Sequence, residues 1–394
     1  MPVNLIEHSQ KKITYAIDAW SANQQKKSGV ETYAFQIIQA MKTCALTDNE
    51  RVVLYSPVPL EGELALLPRG WEIKIVAWPV KSSWFPVGWM LVRMSLELMM
   101  HRPDVLFVPS QGLPRQFPFF GYRIVTTIHD IGYKRFPNLY DSSSRRRLSK
   151  LTKRSVRTAD HLLTVSEFSK QEIEKIYRVD DAHITVTPLA VDTHVYRPLT
   201  NDAIDPVLLK YRFGRNYFLY VGRLDKKKNV DTVIRAFEQF KSGRGIGDPY
   251  SLVLVGESCF GFREMQNRIN VSAVRDDIHV LGYLPDEEVV ALMNAATAFL
   301  FPSWYEGFGI PNLEAFACGI PVIASDISVH HEVLSTAAFF VPPENADGFA
   351  HAMKQIVEDF SLKEALIQKG FLRVSAFDWK KTAEKTWEVL RHLV

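Results

Sequence analysis

Tyr217-Phe218-Leu219-Tyr220-Val221-Gly222-Arg223-Leu224-Asp225-Lys226-Lys227-Lys228-Asn229 opens on an apolar run and breaks at a glycine into a cationic turn. A short, unbroken apolar run suits a strand buried on both faces, as in a parallel sheet covered by helices. In an open sheet of that kind, ligands bind beyond the carboxyl ends of the strands. Arg223 and one of the lysines are therefore expected where an anion would sit. The guanidinium is a planar fork and the ammonium a point charge, and both neutralise phosphate oxygens. A solvated basic turn is the plain alternative.

Outward from this stretch, apolar runs alternate with amphipathic segments, the pattern of helices packed on parallel sheets. One set of expected strands covers residues 13–20, 52–56, 73–77, 105–109, 124–129, 162–166 and 184–187. A second covers 217–222, 252–256, 278–282, 298–302, 322–325 and 338–341. The polar stretch 197–205 between them reads as a linker. The expected class is α/β, with two Rossmann-like doubly wound domains, 1–199 and 200–376, followed by a closing amphipathic helix within 377–394. At 394 residues with 47% hydrophobic content, the chain can fill two cores.

A second motif lies further on. In Glu306-Gly307-Phe308-Gly309-Ile310-Pro311-Asn312-Leu313-Glu314 a glycine-rich loop feeds a helix with proline in its first turn. The first turn of a helix leaves backbone N–H groups free and carries partial positive charge, so a diphosphate fits there. Carboxylates accept hydrogen bonds from sugar hydroxyls, so Glu306 and Glu314 could grip sugars on either side of the phosphates. The loop reads as a nucleotide-sugar site; an ordinary loop-to-helix junction with solvated glutamates is the alternative.

Composition excludes little but narrows the classes. The net charge of +3 argues neither for nor against nucleic acid, and no nucleic-acid partner is expected. Cys44, Cys259 and Cys318 are odd in number and far apart, fitting reduced thiols in a cytoplasmic compartment, and no metal-ligand spacing joins them. Met1 to Lys12 lacks the apolar core of a signal peptide. The stretch Val87 to Met100 is interrupted by Arg93 and Glu97 and is too short to span a bilayer. A nicotinamide dehydrogenase would need Gly-x-Gly-x-x-Gly after a first strand, and none is there.

Five motifs together resemble the retaining glycosyltransferases of family four with the GT-B fold, especially bacterial mannosyltransferase-like members. They are Ser28-Gly29-Val30-Glu31, Thr127-Ile128-His129-Asp130, Val165-Ser166-Glu167, the Gly222–Asn229 segment and the Glu306–Glu314 loop. The resemblance spans nearly the whole chain. It implies that Arg223 and Lys228 bind the donor diphosphate, Lys228 being preferred to its neighbours on family spacing. Glu306 with the backbone of Gly307, Phe308 and Gly309 would hold the donor sugar, Ile310 would begin the phosphate-binding helix end, and Glu314 would bind the ribose. The base would meet backbone near Gly282, and Gly29 would approach the donor. The family often has two glycines where this chain has Ser28-Gly29, a departure that bears on that approach. The closing helix would cross back to the first domain.

His129 ends the apolar run 124–128 and is expected to face the cleft beside the transferred sugar. Orientation of a hydroxyl or carbonyl is favoured over general-base catalysis, although the neighbouring Asp130 invites the latter. The remaining histidines, His330 and His331 included, read as surface or core residues. Glu306 is read as positioning the sugar, with a nucleophilic role as the alternative. The expected activity is retaining, metal-independent transfer of a sugar, with mannose from GDP-mannose as first choice and UDP-sugars open. The acceptor would be a glycan or lipid-linked glycan in cell-surface polysaccharide synthesis, chosen by loops such as 110–120. No cofactor is expected, the nucleotide sugar being substrate. A nucleotide-sugar epimerase and a non-catalytic nucleotide-sugar-binding protein are the alternatives. Ser142 to Thr158 carries Arg145, Arg146, Arg147, Lys150, Lys153, Arg154 and Arg157 without an acid. It reads as a basic helix suited to an anionic membrane surface on the cytoplasmic side, a nucleic-acid contact or a merely solvated face being the alternatives; Trp84, Phe85 and Trp89 could be anchors but read more readily as buried core aromatics.

Overall fold

The computed structural model describes residues 12–78, 88–115, 121–245 and 247–394. Two parallel sheets organise them. The first contains β1 (Ile13–Asp18), β2 (Glu50–Ser56), β3 (Trp71–Ile75), β4 (Val105–Val108), β5 (Arg123–Ile128), β6 (His161–Thr164) and β7 (Ile184–Val186), in the order β3-β2-β1-β4-β5-β6-β7. The second contains β8 (Tyr217–Val221), β9 (Ser251–Val255), β10 (Ile278–Gly282), β11 (Ala298–Phe301), β12 (Val322–Ser325) and β13 (Ala338–Val341), in the order β10-β9-β8-β11-β12-β13. All strands run parallel, and the direction in which the chain steps across the sheet reverses between β1 and β4 and between β8 and β11, the switch points where crevices open in doubly wound sheets.

Every expected strand is present, with ends that differ by a residue or two. Pro109 and Pro302 fall just outside β4 and β11, because proline has no N–H to give a ladder. The apolar runs are buried on both faces: Phe218, Leu219 and Tyr220 of β8 are fully covered, as are Leu252 to Leu254 of β9. Phe218 packs edge-on to Phe240 from the helix Val230–Ser242, with ring centroids 5.1 Å apart.

One reading needs correction. Residues 197–205 were expected as an unpatterned linker, but Asn201–Tyr211 form a helix. Its apolar face is Ile204 and Leu208, both buried, with Val207 and Tyr211 half-buried against the core beside them, and Arg212 ends it in the left-handed conformation at φ 59°. Ile204, Val207, Leu208 and Tyr211 do recur at helical spacing, but Pro206 within the helix and the polar start of the segment read as a break.

The C-terminal helix Trp379–His392 lies against the first unit. Its Trp387 indole donates to Met41 O at 3.3 Å, and Arg391 grips the Glu50 carboxylate through two nitrogens at 2.8 and 2.9 Å. Trp89 is fully buried and donates to Val76 O, so it serves the core. Trp84, Phe85, Val87, the N-terminal eleven residues and 116–120 of the expected acceptor loop lie outside the described residues.

Candidate active site between the two sheets

The cationic turn after β8 is held by its own side chains. Asp225 accepts from Lys228 N at 3.1 Å, and Asn229 donates to Pro302 O at 2.9 Å and to Pro343 O at 2.6 Å. Trp304 N donates to Lys227 O at 3.0 Å, tying the turn to the segment after β11. The result is that Lys228 Nζ meets Glu306 Oε1 at 2.7 Å, with the two side chains only 14% and 8% exposed. Burial pushes the Glu306 carboxyl up, but Lys228 and Lys227 more than reverse this and hold it at about 2. Arg223 stands on the other side of Asp225, 3.6 Å from its carboxylate. Its Nε donates to Cys259 Sγ, and its side chain is over half exposed. Asp225 thus brings Arg223 and Lys228 to one turn, the arginine open and the lysine engaged.

The loop that follows Glu306 is pressed against the first unit. Gly307 O accepts from Ser166 Oγ at 2.6 Å and Ser169 Oγ at 3.2 Å. A Cβ on Gly307 would lie 2.0 Å from His129 O, so only glycine permits this approach. Phe308 is buried, edge-on to Phe377. Gly309, at φ 95°, turns the chain into the helix Ile310–Ala317, with Pro311 in its first turn.

Sequence reading placed His330 among surface or core residues. It is fully buried, but its position is beside the loop: Nε2 lies 3.7 Å from where a Gly309 Cβ would be. Nδ1 sits 2.8 Å from Ser325 O, so that nitrogen carries the proton and Nε2 is a bare acceptor. Burial pushes its pKa down to about 4, keeping the ring neutral. Among the described residues Nε2 has no partner, and neither has Asn312 Oδ1 in the first turn of the helix. No local pattern distinguishes such a histidine from a filler of the core.

Glu314, on the same helix, is raised to about 8, first by burial and then by Asp286. Gly282 ends β10 with open space where a Cβ would stand. The adjacent Tyr283 is 45% exposed, and Lys26 of the first unit lies over its ring at 5.5 Å. Gly29 begins the helix Gly29–Lys42 and also faces open space. Ser28, standing where the family often has glycine, donates through its backbone N–H and hydroxyl to the Glu31 carboxylate, so it caps the helix.

His129 follows β5 with its ring edge-on to Tyr33 at 4.7 Å. Nε2 donates to Pro109 O at 3.0 Å, which leaves Nδ1 as the acceptor, and burial lowers its pKa. Asp130 turns instead to Gly132 N at 3.1 Å and to Lys227 Nζ at 3.2 Å. A His129–Asp130 hydrogen bond, the arrangement a general base would use, is not among the bonds formed.

Further out, Ser142–Thr158 is a helix capped by Asp141, which accepts from Ser143 N and Ser144 N. Arg146, Lys150, Lys153 and Arg157 form one exposed face, and among the described residues none of them pairs with a carboxylate. Arg154 is inward, donating to Pro114 O. Among the described residues no helix is long and apolar enough to cross a membrane, and no His, Cys, Asp and Glu cluster could hold a metal ion.

Two family models match: "Glycosyltransferase Family 4" over residues 27–195 and "Glycosyl transferases group 1" over 210–373. The chain is 31% identical over 295 residues to the O-antigen chain mannosyltransferase B of Escherichia coli, covering 75% of this chain and 76% of that protein. It is 32% identical over 231 residues to the O-antigen chain mannosyltransferase RfbU of Salmonella typhimurium, covering 58% and 60%. The fold matches the crystal structure of WaaG, a glycosyltransferase involved in lipopolysaccharide biosynthesis, with TM-score 0.72 and 17% identity over 95% of this chain and 99% of that one.

Proposed function

The chain belongs to the family 4 glycosyltransferases and has their GT-B fold, and on that premise we propose that it transfers mannose from GDP-mannose, with retention, to a glycan or lipid-linked glycan acceptor in cell-surface polysaccharide synthesis. The choice of mannose rests on the two O-antigen mannosyltransferase relatives. The observation that carries a transfer site is the buried Lys228–Glu306 pair, next to an open Arg223 and beneath a glycine-capped helix end.

When the bond from the anomeric carbon to the diphosphate breaks, negative charge grows on the leaving oxygen. Arg223, Lys228 and the N-terminus at Ile310 meet it with groups already in place, each well-placed donor contributing on the order of 3 kcal/mol. These side chains do the neutralising, so the step is written without a metal. Glu306 enters as an ionised carboxylate whose lone pairs are drawn to Lys228, which makes it a weak nucleophile and a good acceptor of sugar hydroxyls. The acceptor hydroxyl attacks the face from which the diphosphate leaves. Its oxygen bonds to the anomeric carbon, the old glycosyl–oxygen bond breaks, and the proton passes to the departing phosphate. His129 Nδ1 orients a hydroxyl of the transferred sugar, and Glu314 accepts from the ribose.

For the acceptor side, the unpaired face of the helix Ser142–Thr158 supports peripheral association with an anionic membrane, on the cytoplasmic face where nucleotide sugars are made. A thermal-shift panel of nucleotide sugars tests the donor assignment, since a ligand of the folded state raises the melting point by mass action. GDP-mannose is expected to give the largest shift and to release GDP on addition of glycan acceptor. A shift by UDP-sugars alone replaces the donor, while inversion at C2 of the sugar without transfer overturns the reading.

A further inference from the structure

Of the three lysines in the turn after β8, Lys227 alone reaches into the first unit. Its ammonium donates to Asp130 Oδ2 at 3.2 Å, with side-chain exposures of 14% and 26%. Each partner is one residue from a site group: Lys228 holds Glu306, and His129 precedes Asp130. Each is also anchored on its own side. Asp130 Oδ1 accepts from Gly132 N, and Lys227 O accepts from Trp304 N, two residues before Glu306. Burial works against the Lys227 ammonium, but Asp130, Tyr140 and Glu306 more than offset it and keep it charged. Beside the ion pair, Ser166 and Ser169 of the first unit hold the carbonyl of Gly307. One contact therefore takes the loop by its backbone and the other takes the cationic turn by its charge.

From this geometry we propose that Lys227 is a positioning residue: its ion pair with Asp130 joins the two units and sets the distance between His129 and the Lys228–Glu306 pair. The proposal rests on the transfer reading above. Its ammonium reaches across to Asp130 of the first unit, so the role assigned to Lys227 is to hold that contact rather than to bind the donor phosphates. A displacement of about 1 Å between reacting groups is enough to lower a rate by about 10²-fold.

Five proteins test it: wild type, Lys227→Met, Asp130→Asn, the double variant, and the exchange Lys227→Asp with Asp130→Lys. GDP affinity is measured by calorimetry, kcat with GDP-mannose and acceptor by product release, and thermal unfolding for all five. Each single variant is expected to lower kcat about tenfold or more, with GDP affinity within about threefold. The double variant should be no worse than the weaker single, and the exchange should recover part of kcat, as for two residues acting as a unit. The unfolding midpoints should show the same non-additivity. A Lys227→Met protein that loses about tenfold in GDP affinity while keeping kcat makes Lys227 a phosphate ligand and overturns the proposal. So do single effects that simply multiply. If wild type turns over no nucleotide sugar although the two sites still couple in unfolding, the transfer reading falls and takes the catalytic role with it. Turnover without coupling removes the strut alone.

Discussion

The turn Lys226–Lys228 and the helix Ser142–Thr158 are both runs of cations, and the fold uses them in opposite ways. In the turn, Lys227 and Lys228 are each 14% exposed and each meets a carboxylate, Asp130 or Glu306. On the helix, Arg146, Lys150, Lys153 and Arg157 face solvent, and among the described residues none meets a carboxylate. The difference is one of surroundings. A charge in a low-dielectric cleft must be compensated locally, and it then acts strongly on whatever enters. A charge in water is screened within about 10 Å and acts only by number, on a partner that is itself large and charged. The first arrangement suits chemistry on a small anion, and the second suits attachment.

The hardest blow to this contrast is delivered inside the cleft. Glu306→Gln leaves the Lys228 ammonium without its counter-charge. We expect a loss of about 3 kcal/mol in stability and of about 10²-fold or more in kcat/KM, read by denaturant midpoints and initial rates. Its pH dependence has a definite sign. The folded Glu306 carboxyl lies below its ordinary 4.5, so its stabilisation is present above that value and is lost as pH falls through about 2. The acid limb of unfolding below pH 4.5 should flatten in the variant. Full activity in Glu306→Gln would break the comparison at its stronger end.

A smaller effect sharpens it within the cleft. Glu314 is raised to about 8, so its contribution to stability is full below 4.5 and is lost as pH rises through 8. An ionised carboxylate accepts a ribose hydroxyl better than a protonated one. Nucleotide affinity should therefore rise about fivefold as pH passes from 7 to 9, and Glu314→Gln should remove the slope; calorimetry across that range reads it. Two glutamates on one loop and helix would thus be shown to reach the same ionised, binding-competent state in widely separated pH ranges.

The smallest effect belongs to the surface. Lys150→Glu with Lys153→Glu should leave stability within about 0.5 kcal/mol and leave kcat on a soluble acceptor unchanged. Sedimentation with vesicles rich in anionic lipid should weaken, with roughly 1 kcal/mol lost per basic residue removed. Binding that is indifferent to anionic lipid would show that this helix face is merely solvated.

The sheets were legible because burial on both faces writes itself into unbroken apolar runs, as in Phe218–Leu219–Tyr220 and Leu252–Val253–Leu254. The helix Asn201–Tyr211 was not, since Pro206 and a polar first turn hide the spacing of Ile204, Val207, Leu208 and Tyr211. Ser28 was legible as a departure from a glycine pair, but its use as a cap appears only when Glu31 turns back on it. His330 carried no signal at all, because its relation to Gly309 spans a helix and the strand β12.

By itself the chain determined its two sets of strands, the glycines that turn the backbone, and the presence of Arg223 and three lysines after one strand and of two glutamates in a glycine-rich loop and the helix it feeds. Those follow from local steric and hydrophobic rules that each short segment obeys alone. Which lysine meets which acid, which glutamate keeps its proton, and which nitrogen of His129 is bare were decided only by the tertiary structure, within each unit and, for Lys227 and Asp130, between the two. Charge state and hydrogen-bond direction depend on the dielectric and partners around a group, and here those partners lie up to 97 residues away in the chain, as between Asp130 and Lys227.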